Sequence, residues 1–250
     1  MGKFSIHIKH YKAQQLAGID RHNRRLGKNH SNKSIDGEKS RDNLTLRPVS
    51  ESLYRDTKKR IQEEVIDKGH RVTKASVWIT EICCTLPEGL EKNDSKPYFE
   101  EIVKYFERAL GKQNIISACV HMDETKPHLH LCVVPITEEG RLSRKEVWTR
   151  KRLLALHDEI PKCLQNKGFN VERGDHLADF EDKKKAALSL KEYKVFQERE
   201  KLKQEYNGLV REYNELADKY NHVAKERVAL KRGNVRIAQS VIAREREICR

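Results

Sequence analysis

Apolar positions along the chain change period several times, and the changes mark out its elements. Phe4 to Tyr11 alternates in character, the period of a half-buried strand. Residues 12–49 are polar, contain Gly, Asn and Ser, and read as a loop or short-helix region. Ser50 can cap a helix running to about Lys68, with Gly69 as its stop. Lys74 to Cys84 carries Val77, Trp78, Ile79 and Ile82 and reads as a strand. Ser95-Lys96-Pro97 opens a second helix, with Pro in its first turn, that ends at Gly111. Ile115 to Met122 and Pro127 to Ile136 are strand-length and rich in β-branched residues. Their connector, Asp123 to Lys126, is short and polar, so the two pair as an antiparallel hairpin. Ser143 and Glu146 form a capping box for a long helix that Gly168 ends.

Beyond residue 180 the period becomes a heptad. Leu202, Tyr206, Leu209, Tyr213, Leu216, Tyr220 and Val223 are spaced alternately four and three apart; Arg227 interrupts and Leu230 resumes. Residues 181–250 therefore read as a long charged helix with a coiled-coil partner, against the alternative of a helix folded back on the preceding domain. The expected fold class is α+β: an antiparallel sheet flanked by helices in residues 1–180, then the helical extension 181–250.

Charge changes the picture from fold to partner. The 250 residues carry a net charge of +13. Residues 1–60 hold 15 Lys+Arg against 6 Asp+Glu, a net of +9, and residues 181–250 hold 18 against 12, a net of +6. Residues 61–180 are left at −2. A concentrated basic segment points to a polyanion, usually nucleic acid. The six cysteines make no Cys-x-x-Cys pair and no disulfide framework. No signal-peptide or transmembrane stretch is legible, so a cytoplasmic location is expected.

The hairpin carries the candidate chemistry. Strand residues i and i+2 share a face, so His128 and His130 project together and Leu129 turns away. His121 ends the preceding strand and is brought beside them. Three imidazoles on a rigid sheet suit a divalent ion with open positions for a phosphate oxygen. Asp123 and Glu124 are candidate acceptors for imidazole N–H groups, and Glu124 is also a candidate ligand. A structural zinc is the alternative, with Cys119 and Cys132 as the thiols at matching parity.

A metal beside basic charge suggests phosphoryl chemistry, which needs a nucleophile. His22 is flanked by Arg21, Arg24 and Arg25, which can bind phosphates and favour the neutral imidazole. Spacing alone does not choose between His22, His30, Tyr11 and Tyr54; Tyr98 and Tyr105 are further tyrosines. Arg21, Arg24, Lys28, His30, Asn32 and Lys33 are the candidate DNA contacts.

The pattern His121-x-Asp123-Glu124-x-x-Pro127-His128-x-His130 resembles a motif of the MobV (Pre/Mob) plasmid mobilisation relaxases, within the HUH endonucleases. His22-Asn23-Arg24-Arg25, His30-Ser31-Asn32-Lys33-Ser34-Ile35-Asp36, Val133-Val134-Pro135 and Gly168-Phe169-x-x-Glu172-Arg173-Gly174 are similar to further blocks of that family. The resemblance covers about residues 1–180. It implies cleavage of a single-stranded stretch beside a hairpin at a plasmid origin of transfer, leaving protein on the 5′ phosphate and a free 3′ hydroxyl. It implies His121, His128 and His130 as ligands of Mn²⁺ or Mg²⁺ with Glu124 in support, and His22 as the nucleophile. Some relatives carry Asn-Tyr-x-Leu where this chain has Asn43-Leu44-Thr45-Leu46, which favours His22 over a tyrosine. Arg25 matches a motif position and is the expected phosphate or active-site contact. Members carry a longer helical C-terminal region for dimerisation, so a chain ending at Cys249-Arg250 reads as truncated or short, and a homodimer through the helix is expected. Other readings are a rolling-circle replication initiator or transposase of the same superfamily, and a non-catalytic DNA-binding dimer with a structural metal.

Overall fold

The computed structural model describes residues 1–27, 35–174 and 190–248. The chain divides into two units, Met1–Asp175 and His176–Arg250. In chain order the elements are β1 (Gly2–Lys3), β2 (Ser5–Tyr11), α1 (Leu16–Asn23), β3 (Leu44–Arg47), α2 (Leu53–Ile61), β4 (Ile79–Thr85), α3 (Ser95–Leu110), β5 (Ile115–His121), β6 (His128–Val133), α4 (Arg144–Val147), α5 (Arg150–Gln165), β7 (Val171–Glu172) and α6 (Leu190–Ile248).

The first unit is built on a five-stranded sheet in the order β2-β4-β6-β5-β3, antiparallel at every pairing. The expected hairpin is β5–β6, with His121 opposite His128 and Cys119 opposite His130. Strand alternation gives the sheet two buried faces. Ile82, Cys84, Leu129, Leu131 and Val133 pack with Phe99, Ile102 and Phe106 of α3 and Leu156 and Ile160 of α5. Ile79, Cys132, Val134 and Ile116 pack on the other face with Leu16 of α1 and Leu53 and Ile61 of α2. The histidines lie on this second face, beside α1. A short parallel pair, β1 with β7, ties the chain start to the segment after α5.

Several boundaries differ from the sequence reading. The stretch 12–49, read as a loop or short-helix region, holds the short helix α1 and, unforeseen, an edge strand, β3. The buried positions of α1 are Leu16, Asp20 and Asn23, so two of three are polar and no apolar stripe is visible. The cap of α2 is Ser52, whose Oγ accepts from Arg55 N at 3.2 Å, not Ser50. Past Ile61 the helix continues as one π-helical stretch, Gln62–Ile66. β4 starts at Ile79 rather than Lys74, because residues 73–76 close a turn through Thr73 N–H to Ser76 Oγ, 3.0 Å. The helix from Ser143 is broken: Ser143 caps only α4, Trp148 leaves the helical region, and Thr149 caps α5. The break seats Trp148, 4% exposed, in the core against Phe106.

In the second unit, α6 is a 59-residue helix, as the tail's period predicts. Its heptad positions from Leu202 to Val223 are 61–74% exposed. No helix among the described residues is long and apolar enough to cross a membrane.

Candidate metal centre and nucleophile

His121, His128 and His130 converge, with ring centroids 4.6–5.2 Å apart. Their outer nitrogens fix their tautomers. His121 Nε2 lies 3.0 Å from the Asn23 carbonyl, His128 Nδ1 2.9 Å from the Lys126 carbonyl, and His130 Nδ1 2.9 Å from Glu81 Oε1. Each partner can only accept, so each of these nitrogens carries the proton. The opposite nitrogens, His121 Nδ1, His128 Nε2 and His130 Nε2, keep lone pairs. His121 Nδ1 and His130 Nε2 are buried without a hydrogen-bond partner. Buried nitrogens are normally satisfied, so a pair of unsatisfied lone pairs in one cluster fits a cation.

Glu124 completes the group. Its Oε1 lies 3.9 Å from both His121 Nδ1 and His128 Nε2. Candidate ligand atoms of His121, Glu124 and His128 all lie within 4.8 Å of one another, as do those of His22, His121 and His130. Neither group includes Cys119 or Cys132. Cys119 instead donates to the Asn23 carbonyl at 3.3 Å, and burial pushes its thiol up to about 12. The thiols therefore do not supply the zinc site the sequence allowed.

His22 sits in the last turn of α1, half-buried, with its ring 5.2 Å from those of His121 and His130. Asn23 docks that turn: its carbonyl takes His121 Nε2–H, and its Nδ2 donates to Glu81 Oε1 at 3.0 Å. Burial, followed by His130 and Arg25, holds His22 down at about 4, so it is neutral at pH 7. Burial, more than the flanking arginines, thus makes it neutral. His121 is depressed to about 2, mainly by burial and then His130.

Arg25, expected as a phosphate or active-site contact, pairs with the two carboxylates of the β5–β6 connector. Its φ of 53° is the only positive value at a described non-glycine residue. Leu26 N–H donates to Arg21 O and Arg25 N–H to His22 O, the two bonds of a Schellman stop, in which glycine is the usual left-handed residue. The left-handed backbone costs an arginine about 1 kcal/mol. It is offset by what the turn delivers. Arg25, 7% exposed, donates from Nε and Nη2 to Asp123 (2.9 and 2.7 Å) and from Nη2 to Glu124 (2.8 Å). The guanidinium thus links the His22 turn to the metal-side connector. Asp123 faces no imidazole: it accepts from Arg25, Ser40 (2.6 Å) and Asn43 (2.9 Å), which hold its carboxyl below the usual range.

Three groups were not foreseen from sequence. Glu81 accepts from His130, Asn23 and the Tyr11 hydroxyl (3.1 Å), and those hydrogen bonds hold it at about 2 against its burial. Ser40 and Asn43 brace Asp123. Tyr11 is held on Glu81 within the site, and the other tyrosines are engaged elsewhere: Tyr54 stacked on Trp78, Tyr98 buried in the other core, Tyr105 on Glu159. Arg21 is exposed, and Arg24 donates to Asp20 and to the Glu51 carbonyl, both at 3.4 Å. Lys28, His30, Asn32 and Lys33 lie outside the described residues.

The fold is that of a relaxase-type α+β domain. The profile of the Mob_Pre family, described as plasmid recombination enzyme, matches residues 1–195, and the chain belongs to that family. It is 38% identical over 181 residues to a plasmid recombination enzyme of Bacillus thuringiensis, covering 70% of this chain and 40% of that one. It is 34% identical over 192 residues to one of Lactiplantibacillus plantarum, covering 75% and 52%. The chain thus spans about half the length of these relatives or less. Among solved structures it is similar to the MobM relaxase domain, Mn-bound and in complex with plasmid pMV158 oriT DNA, with a TM-score of 0.69 and 29% identity over 77% of this chain and 98% of that one.

Proposed function

We propose that the chain is a plasmid mobilisation relaxase that nicks one DNA strand at an origin of transfer. Residues 1–180 form the catalytic domain and 181–250 an extension that pairs with a second copy. The observation that carries the reading is the His22 ring 5.2 Å from those of His121 and His130, set beside three imidazoles whose lone pairs converge. A Mn²⁺-bound structural relative carrying oriT DNA supports both the ion and the substrate class. His121, His128 and His130 would hold Mn²⁺ or Mg²⁺, with Glu124 in support. The ion would polarise a phosphate oxygen and offset charge gathering on it. A nitrogen of His22 forms the bond to phosphorus and the P–O3′ bond breaks. The imidazole proton ends on the leaving 3′ oxygen, giving a 5′-phosphoramidate on the protein and a free 3′ hydroxyl. Arg25 acts by positioning: it holds Glu124 and the His22 turn in one frame.

A second reading rests on the His22–His121–His130 group. There His22 is a fourth ligand, the site is closed, and the metal is structural. Titration with Mn²⁺ separates the two. As nucleophile, His22→Ala keeps metal affinity and loses the covalent adduct, whereas His128→Ala loses both. If His22→Ala abolishes metal binding, the second reading holds.

A further inference from the structure

Tyr54 lies in the first turn of α2, and its ring stacks on Trp78 at 5.6 Å and 16°. Tyr54 is 39% exposed and Trp78 half-buried at the rim of the α1–α2 core. Such a pair on a surface otherwise rich in charge needs an account. Two unpaired cations lie on the helices of this side, α1 and α2. Lys58, one turn on along the same face of α2, is exposed, and so is Arg21 on α1; neither has an ion pair or side-chain hydrogen bond among the described residues.

The pair is joined to the histidine cluster from two directions. Arg24 donates to the Glu51 carbonyl, which ties the His22 end of α1 to the turn that opens α2. The Trp78 backbone N–H donates to the Tyr11 backbone carbonyl at 2.9 Å, and the Tyr11 hydroxyl donates to Glu81, which holds His130. The aromatic pair and both cations thus belong to the α1–α2 side of the sheet, the side that carries His22.

We propose that the Tyr54–Trp78 pair is a stacking platform for an unpaired base of single-stranded DNA, with Lys58 and Arg21 on the flanking phosphates. Base–aromatic stacking is indifferent to sequence because every base has a π-face, and it requires an unpaired base. The platform thus recognises the single-stranded state beside the scissile phosphate. It rests on the reading that DNA is the substrate.

Trp78 is its own reporter, since the other tryptophan, Trp148, is buried. The probe is a short oligo-dT added to the full chain in EDTA, where nicking is off. Oligo-dT is expected to quench the emission, and Trp78→Phe to remove the quench. Tyr54→Ala should weaken binding about tenfold, Tyr54→Phe should restore it, and a blunt duplex should give no quench. Melting curves check that the variants fold. Unchanged affinity in a folded Tyr54→Ala, or an unquenched Trp78 at saturating oligo-dT, overturns the platform. A parent chain that oligo-dT leaves unquenched but that nicks origin DNA normally would sink the platform alone. A normal quench with no nicking under any divalent ion supports the platform and sinks the nicking reading instead.

Discussion

Glu81 Oε1 on β4 lies 2.9 Å from His130 Nδ1 on the adjacent strand β6, and this contact decides which nitrogen of His130 faces the cluster. A carboxylate there also raises the basicity of the inward nitrogen. Glu81→Leu should lower Mn²⁺ affinity by about 10–100-fold. Glu81→Gln, which can still accept the Nδ1 proton, should fall between. Calorimetric titration reads both; a Glu81→Leu protein that binds as tightly as the parent would show that the contact does not orient His130 for the metal.

Arg25 and Asp123 make a second relationship of this kind, 2.7 Å apart with Asp123 wholly buried. Removing the arginine strands a buried carboxylate. Arg25→Ala should destabilise the domain by about 3 kcal/mol in urea. Arg25→Lys keeps the charge and loses the fork, so it should recover only part of this. Loss of under about 1 kcal/mol in Arg25→Ala would match an exposed pair and contradict the positioning role.

Stability of the metal-free protein should depend on pH with a definite sign. His22 and His121 are depressed to about 4 and about 2 in the fold, against 6.5 unfolded. Below pH 6.5 the unfolded chain takes up protons that the folded histidines refuse. Their neutral-state stability is therefore present above about pH 6.5 and lost as pH falls toward 4. Glu81, held at about 2, adds a further loss only below its usual 4.5. The urea midpoint should drop from pH 7 to pH 5, and less steeply in His22→Asn. A flat profile over that window would contradict the burial of these imidazoles.

The tail makes a separate prediction. Leu209 and Leu216 are 65% and 67% exposed on α6. If a second copy covers that stripe, sedimentation should show a dimer, and Leu209→Asp with Leu216→Asp should give monomers that still nick. A monomeric parent at micromolar concentration would remove the coiled-coil assignment.

Much of the sheet was legible because strand period is unambiguous. The β5–β6 hairpin and the shared face of His128 and His130 both follow from alternation. The bounds of α1 were not, since Asp20 and Asn23 occupy its inward positions in place of apolar residues. Asn23 faces inward to carry hydrogen bonds, which leaves no hydrophobic period to read. Glu81 was hidden in the run Trp78-Ile79-Thr80-Glu81-Ile82, whose apolar neighbours mark only a buried strand. An acid at the inward parity of such a strand was the available signal, because a buried carboxylate must be paired. Asp123 was placed near the right residues with the wrong partners: its donors, Arg25, Ser40 and Asn43, come from about 80 to 98 positions away in sequence. Only the folded chain brings them together.

Everything proposed for the site turns on His22 taking the phosphate. The direct measurement is to incubate the full chain with labelled single-stranded origin DNA and Mn²⁺, digest the adduct, and map the modified residue by mass spectrometry. The expected product is an acid-labile phosphoramidate on His22, absent from His22→Ala. An adduct on a tyrosine, or an undiminished adduct in His22→Ala, would contradict it.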